Sequence, residues 1–209
     1  MRALITGGSG TVGAALVREF ARDHEVIFTY LNNSERASRL EKEVGARAVK
    51  CDVTDRDTIF KITSEYPYFD FLINNAGIWQ FKLFSDITTY EWEKMLAVNL
   101  SGAFNFTQAV LPAMLRRKKG TIVNISSLWG EVGASCEVHY SAAKAGLIGF
   151  SKALAKEVEP SGVRVFHISP GAIEGSMNAD FSKDELQDAC PDGKILTPTD
   201  IAAWVRSFI

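Results

Sequence analysis

Strand-length apolar runs alternate with helical patterns along almost the whole chain, and this alternation leaves few folds open. "RALIT" (Arg2–Thr6), "EVIFTY" (Glu25–Tyr30), "ARAVKC" (Ala46–Cys51), "FDFLIN" (Phe69–Asn74), "TIVNIS" (Thr121–Ser126) and "VRVFHIS" (Val163–Ser169) read as strands. Between them, helices are predicted over Thr11–Arg22, Ser34–Val44, Asp55–Tyr66, Thr88–Val98, Gly102–Arg117 and Val138–Val158, with Ser34 as the N-cap of the second. Such a repeat implies parallel strands joined by right-handed helical crossovers. The strands are continuously apolar, as strands covered by helices on both faces should be. The expectation is α/β: a doubly wound parallel sheet forming one domain over residues 1–209. No internal repeat or linker interrupts it. After Pro170 the pattern weakens, and the last clear element is a helix near Thr199–Phe208.

Composition narrows the partners. A net charge of −2 offers nucleic acid or an anionic membrane no electrostatic footing. No apolar run approaches the roughly 20 residues of a membrane span. The first strand begins almost at Met1, so no leader segment is expected. Cys51, Cys136 and Cys190 are scattered, which argues against a disulfide framework and a metal site, and for a cytoplasmic compartment.

"TGGSGTVG" (Thr6–Gly13) joins the first strand to the first helix. Glycines there permit a tight turn and close approach of a pyrophosphate, and the helix start offers unpaired N–H groups to an anion. A Walker A loop would need Gly-Lys-Ser/Thr, but Gly13 is followed by Ala14; a nucleophile elbow on Ser9 would need glycine at Thr11. The turn predicts a Rossmann-type dinucleotide site, with about six strands in the order 3-2-1-4-5-6. Candidate contacts are Gly7, Ser9, Gly10, Thr11, Val12 and Gly13. The second strand ends at Tyr30 with no acid at its tip, which permits a 2′-phosphate; Asn33, Ser34 and Arg36 are positioned to meet it. NADP(H) is therefore expected over NAD(H).

Further motifs follow in order: "CDVTD" (Cys51–Asp55), "NNAG" (Asn74–Gly77), "VNLSGAF" (Val98–Phe104), "IVNISS" (Ile122–Ser127), "YSAAK" (Tyr140–Lys144) and "PGAIEGSM" (Pro170–Met177). With these in sequence the chain resembles the short-chain dehydrogenase/reductases, especially the single-domain branch that includes 3-oxoacyl-[acyl-carrier-protein] reductases. The resemblance implies roles. Asp52 and Val53 would border the adenine. Asn74, Asn75, Ala76 and Gly77 would support the sheet and lie along the cofactor. Pro170, Gly171 and Ile173 would lie against the nicotinamide. Asn99, Ser127, Tyr140 and Lys144 would be the catalytic set, with Tyr140 and Lys144 also touching the cofactor. A homodimer is implied, paired through the helices at Gly102–Arg117 and Val138–Val158.

Tyr140 and Lys144, four residues apart, share a helix face. A cation about 5 Å from a phenolate, at an effective dielectric of about 20, stabilises it by roughly 3 kcal/mol, or about two pKa units. An oxidised nicotinamide would add positive charge nearby, bringing Tyr140 within reach of about 7–8, suited to passing a proton to a carbonyl oxygen held by Ser127. His139, beside it, is expected at a pocket wall or an interface, and Trp79 and Trp129 either along the substrate cleft or in ordinary packing. The function expected is an oxidoreductase moving a hydride between NADP(H) and a carbonyl or secondary alcohol, such as a 3-oxoacyl thioester or another small ketone.

Three departures from the family pattern stand against this. Thr11 replaces a glycine of the turn. Gly175 stands where many relatives have a cofactor-bonding threonine, whose contact is lost or passes to Ser176. The sequence ends at Ile209, short of the seventh strand of relatives. They motivate an alternative, a catalytically impaired cofactor-binding regulatory or scaffold protein.

Overall fold

In the computed structural model, which describes residues 1–175, 182–188, 190 and 193–209, six parallel strands form one sheet. They are β1 (Arg2–Ile5), β2 (Glu25–Tyr30), β3 (Arg47–Lys50), β4 (Phe71–Asn74), β5 (Gly120–Ile125) and β6 (Val163–Ile168). The order is β3-β2-β1-β4-β5-β6, as the doubly wound reading requires. The helices are α1 (Thr11–Phe20), α2 (Ser34–Val44), α3 (Arg56–Ser64), α4 (Thr89–Leu96), α5 (Gly102–Arg117), α6 (Leu128–Val132), α7 (Val138–Val158), α8 (Lys183–Asp188) and α9 (Pro198–Arg206). No helix among the described residues is long and apolar enough to cross a membrane.

Alternate residues of each strand face opposite sides. Ala3 and Ile5 of β1 join Leu16, Val17 and Phe20 of α1, Leu40 of α2 and Ile201 and Val205 of α9 in one buried layer. Leu4, between them, belongs to the other layer with Ile59 and Ile62 of α3, Phe106, Val110 and Met114 of α5 and Val158 of α7. This two-faced burial is why the strands read as unbroken apolar runs.

Several local expectations need correction. Strands β3 and β4 are shorter at their ends than the apolar runs. The cap of α2 is Asn33, whose side-chain oxygen accepts from the Arg36 N–H at 3.0 Å; Ser34 is already the first helical residue. The helices read as separate over Thr88–Val98 and Gly102–Arg117 are joined through a wider π-type turn at Ala97–Ser101. Helix α6, right after Ser127, was not expected; five residues are too few to show a period.

A buried polar chain ties the sheet to α7. Asn74 Nδ2 donates to Asn124 Oδ1 at 2.8 Å and to Thr107 Oγ1 at 3.2 Å, and Asn124 Nδ2 donates to Ser151 Oγ at 2.8 Å. Ser151 in turn donates to the Leu147 carbonyl. Removing a central member strands buried donors and acceptors on both sides, at about 1–3 kcal/mol per group. Asn124→Ala should therefore destabilise the protein by at least about 2 kcal/mol in denaturant unfolding, although the Asn124 amide bonds only other side chains.

Candidate active site

Because the strands are parallel, the ends of β1, β4, β5 and β6 lie on one side of the sheet, where open α/β sheets bind ligands. There the Thr6 hydroxyl accepts from the N–H groups of Asn75 at 3.0 Å and Ala76 at 2.9 Å. Asn75 Nδ2 returns hydrogen bonds to the Thr6 carbonyl at 2.9 Å and the Gly7 carbonyl at 3.3 Å. This cross-strand lock holds the glycine turn. Gly7 has φ +68°, a left-handed conformation suited to glycine. A methyl on Gly13 would stand 2.1 Å from the Gly7 carbonyl oxygen, so the chain closes on itself only with glycine there. Helix α1 starts after Gly10 with no side-chain cap and no acidic residue in its first turn. A helix start of this kind, uncapped by a side chain and without a carboxylate, fits a dinucleotide pyrophosphate.

Beyond β2, a cavity of about 300 Å³ lies between α1 and α2, lined by Arg18, Asn33, Glu35, Arg36, Arg39 and Glu43 among others. Arg18 is bridged to Glu43 and Arg39 to Glu35, whereas Arg36 has no carboxylate partner among the described residues. Ser34 is exposed at the same helix start. Asp52 Oδ1 accepts from the Thr54 N–H and hydroxyl, and Val53 is buried against α5, where a methyl on Gly102 would collide with it.

The four residues singled out around "YSAAK" converge. Asn99 sits in the π-type turn with its amide locked onto Ile78: Nδ2 donates to the Ile78 carbonyl at 3.0 Å and Oδ1 accepts from the Ile78 N–H at 3.2 Å. A methyl on Gly77 would stand 2.6 Å from Asn99 Oδ1 and 3.7 Å from Lys144 Nζ, so only glycine lets these elements meet. Ser127 caps α6, its Oγ accepting from the Trp129 N–H, and its hydroxyl acts on Tyr140 to favour the phenolate. Lys144 Nζ donates to the Ile125 carbonyl at 2.8 Å and lies 5.7 Å from the centre of the Tyr140 ring. Ser126, which sequence reasoning passed over, fixes the helix from below by donating to the Lys144 carbonyl at 2.9 Å.

In the chain by itself, burial pushes the Tyr140 hydroxyl up to about 12, against the pull of Ser127, and the nearby Glu137 carboxylate pushes it up further; the lysine effect read from spacing is outweighed by desolvation. Burial also pushes Lys144 down to about 8. The ammonium faces a backbone carbonyl, and desolvation penalises both charged forms at once. Spacing shows that two side chains share a face, not how much water they lose.

Pro170, Gly171 and Ile173 follow β6. The Pro170 carbonyl accepts from the Leu128 N–H at 2.8 Å, and Cys190 Sγ accepts from the Ala172 N–H at 3.2 Å. Two departures from the family pattern prove to be partners. Gly175 has φ +147°, and a methyl on it would lie 2.8 Å from Thr11 Cγ2. The threonine in the turn thus occupies the space that the glycine vacates. Ser176 and Met177 lie outside the described residues.

His139 is fully buried rather than at a pocket wall or interface, its Nε2 3.0 Å from Gln80 Oε1. Trp79 lies against Glu137, a buried carboxyl that sequence reasoning missed although it lies three residues before Tyr140. Trp129 contributes its backbone N–H to Ser127 Oγ.

Comparison with known proteins agrees with this architecture. The short chain dehydrogenase family model matches residues 1–186. A 3-oxoacyl-[acyl-carrier-protein] reductase of Aquifex aeolicus is 36% identical over 212 residues, covering 95% of this chain and 86% of the relative. An acetoacetyl-CoA reductase of Rhizobium meliloti is 37% identical over 212 residues, covering 97% and 88%. The crystal structure of a 3-oxoacyl-[acyl-carrier protein] reductase from Brucella melitensis superposes with a TM-score of 0.89 at 31% identity, covering 98% of this chain and 82% of the other.

The buried lysine yields a stability test. Its folded pKa, about 8, lies below its ordinary 10.5, so between those values the unfolded chain binds more protons and stability rises with pH. Below pH 8 the charged, desolvated ammonium costs folding up to about 3 kcal/mol. Lys144→Met should therefore gain stability relative to the parent at pH 7, and the gain should shrink as pH rises from 8 to 10.5 in denaturant titrations at several pH values.

Proposed function

The chain belongs to the short-chain dehydrogenase family of oxidoreductases, and on that premise we propose that it reduces a carbonyl to a secondary alcohol with NADP(H), using Tyr140 as general acid. One juxtaposition carries the reading: the Tyr140 hydroxyl feels the Ser127 hydroxyl, and Lys144 Nζ lies 5.7 Å from the phenol ring in a water-poor site under Gly77. When bound, the nicotinamide supplies the hydride. The chain's own residues do the rest. Ser127 donates to the carbonyl oxygen and stabilises the charge developing there. Tyr140 passes its proton to the same oxygen. Burial keeps that proton on the phenol near neutral pH, which suits reduction. Lys144 leaves the Ile125 carbonyl to hold the cofactor ribose, and Asn99, fixed on Ile78, lines the proton route toward it.

Gly7, Ser9, Gly10, Thr11, Val12 and Gly13 hold the pyrophosphate at the start of α1. Asp52 and Val53 border the adenine, Asn75, Ala76 and Gly77 follow the cofactor along β4, and Pro170, Gly171 and Ile173 face the nicotinamide. Arg36, with no carboxylate partner beside Asn33 and Ser34, reads the 2′-phosphate; this supports NADP(H) over NAD(H). One domain over residues 1–209 holds both cofactor and substrate. The names of the relatives support a 3-oxoacyl thioester or a similar small ketone as substrate. Phe104, exposed on α5, and the open space over Gly149 on α7 support pairing of two copies through those helices.

Turnover is followed as loss of NADPH absorbance with β-ketoesters and oxoacyl thioesters. Tyr140→Phe should lower kcat at least about a thousandfold while NADPH binding, measured by fluorescence, stays nearly unchanged. Undiminished turnover removes Tyr140 from the mechanism. Arg36→Ala should raise KM for NADPH about tenfold or more and leave KM for NADH unchanged, since a hydrogen bond to a charged group contributes about 1.5–3 kcal/mol.

A further inference from the structure

Glu137 precedes α7 by one residue, at the position where a side chain normally caps a helix, yet its carboxylate makes no capping hydrogen bond. It is nevertheless 93% buried, since only 7% of its surface is exposed. The Trp79 indole lies against the carboxyl, whose Oε2 is buried with no hydrogen-bond partner. A buried carboxyl with an unpartnered oxygen costs stability, and a helix cap would have been a cheaper use of an acidic residue here.

Its surroundings offer no compensating cation. On α7 it faces Tyr140, one helical turn on; His139 is turned to Gln80. Lys144 is committed to the Ile125 carbonyl. From the preceding loop come Trp79 and Lys82, and the Lys82 ammonium is spent on Glu91 of α4 at 2.8 Å. No ion pair among the described residues includes Glu137. The group that feels its charge is the Tyr140 hydroxyl.

We propose that Glu137 is a positioning residue for the proton on Tyr140: an uncompensated buried carboxylate that opposes the phenolate and so extends to higher pH the range over which Tyr140 keeps the proton that carbonyl reduction uses. This rests on the reading of Tyr140 as general acid. The sign follows from charge: a carboxylate at Glu137, one helical turn from Tyr140, opposes the phenolate and pushes the Tyr140 hydroxyl up. Lys144 and an oxidised nicotinamide favour the phenolate; Glu137 works against them. Oxidation of an alcohol needs the phenolate as base, and reduction needs the phenol as acid.

Glu137→Gln is the direct test, because glutamine keeps the shape against the Trp79 indole and removes only the charge. Rates are measured from pH 6 to 10 in both directions, with NADPH and a small β-ketoester and with NADP⁺ and the corresponding 3-hydroxyester. The rising limb of oxidation and the falling limb of reduction should both move to lower pH by about one unit. Glu137→Asp, which keeps the charge, should hold the wild-type limbs. In cofactor-free protein, tyrosine ionisation followed by ultraviolet absorbance, with Tyr140→Phe as reference, should show the Tyr140 midpoint lowered by Glu137→Gln. Should the glutamine variant prove unstable, Glu137→Ala is read in the same way. Limbs that stay in place, or equal loss in both directions without a shift, overturn the inference and leave the proposed function standing. A wild-type protein that turns over no carbonyl overturns the proposed function and this inference with it.

Discussion

Parallel pairing of six strands forces every strand to end on the same side, and the site depends on that constraint. The glycine turn leaves β1, "NNAG" leaves β4, Ser127 leaves β5 and Pro170 leaves β6, so residues more than 160 positions apart in the chain meet without long loops. Polar side chains stitch the ends together. Thr6 binds the backbone after β4, Asn74 reaches Asn124 across the sheet, and Ser151 carries that contact into α7. These bonds are buried and mutually dependent, so they fix α7 in register with β5. That register sets where Tyr140 and Lys144 stand relative to Ser127.

Within this frame the chemistry is governed by loss of water. Tyr140 and Lys144 are both driven toward their neutral forms, and the lysine relieves its desolvation on a backbone carbonyl. The site is thus organised to hold a proton. Glu137 acts in the same sense, adding a negative field beside a phenol that would otherwise face only positive partners once a cofactor is present.

Local departures from the family pattern look like damage when read one at a time. Thr11 adds bulk to a turn that elsewhere has glycine, and Gly175 removes a side chain from the loop after β6. Their side-by-side packing shows a single steric exchange across two segments. The exchange gives the departures a structural reason other than loss of function.

Most of the fold was legible in the sequence, because hydrophobic periodicity reports burial directly and a parallel α/β sheet buries both faces of each strand. The dinucleotide turn and the Ser127–Tyr140–Lys144 register were legible for a related reason: close backbone approach demands glycine, and i,i+4 spacing fixes a shared helix face. What the tertiary structure alone decided depends on neighbours distant in sequence. It determined that Asn33 rather than Ser34 caps α2, that a π-type turn locks Asn99 onto Ile78, and that Thr11 packs on Gly175. It also decided the protonation balance at Tyr140, since a pKa follows from water removed and charges brought near by other elements, and no local spacing encodes either.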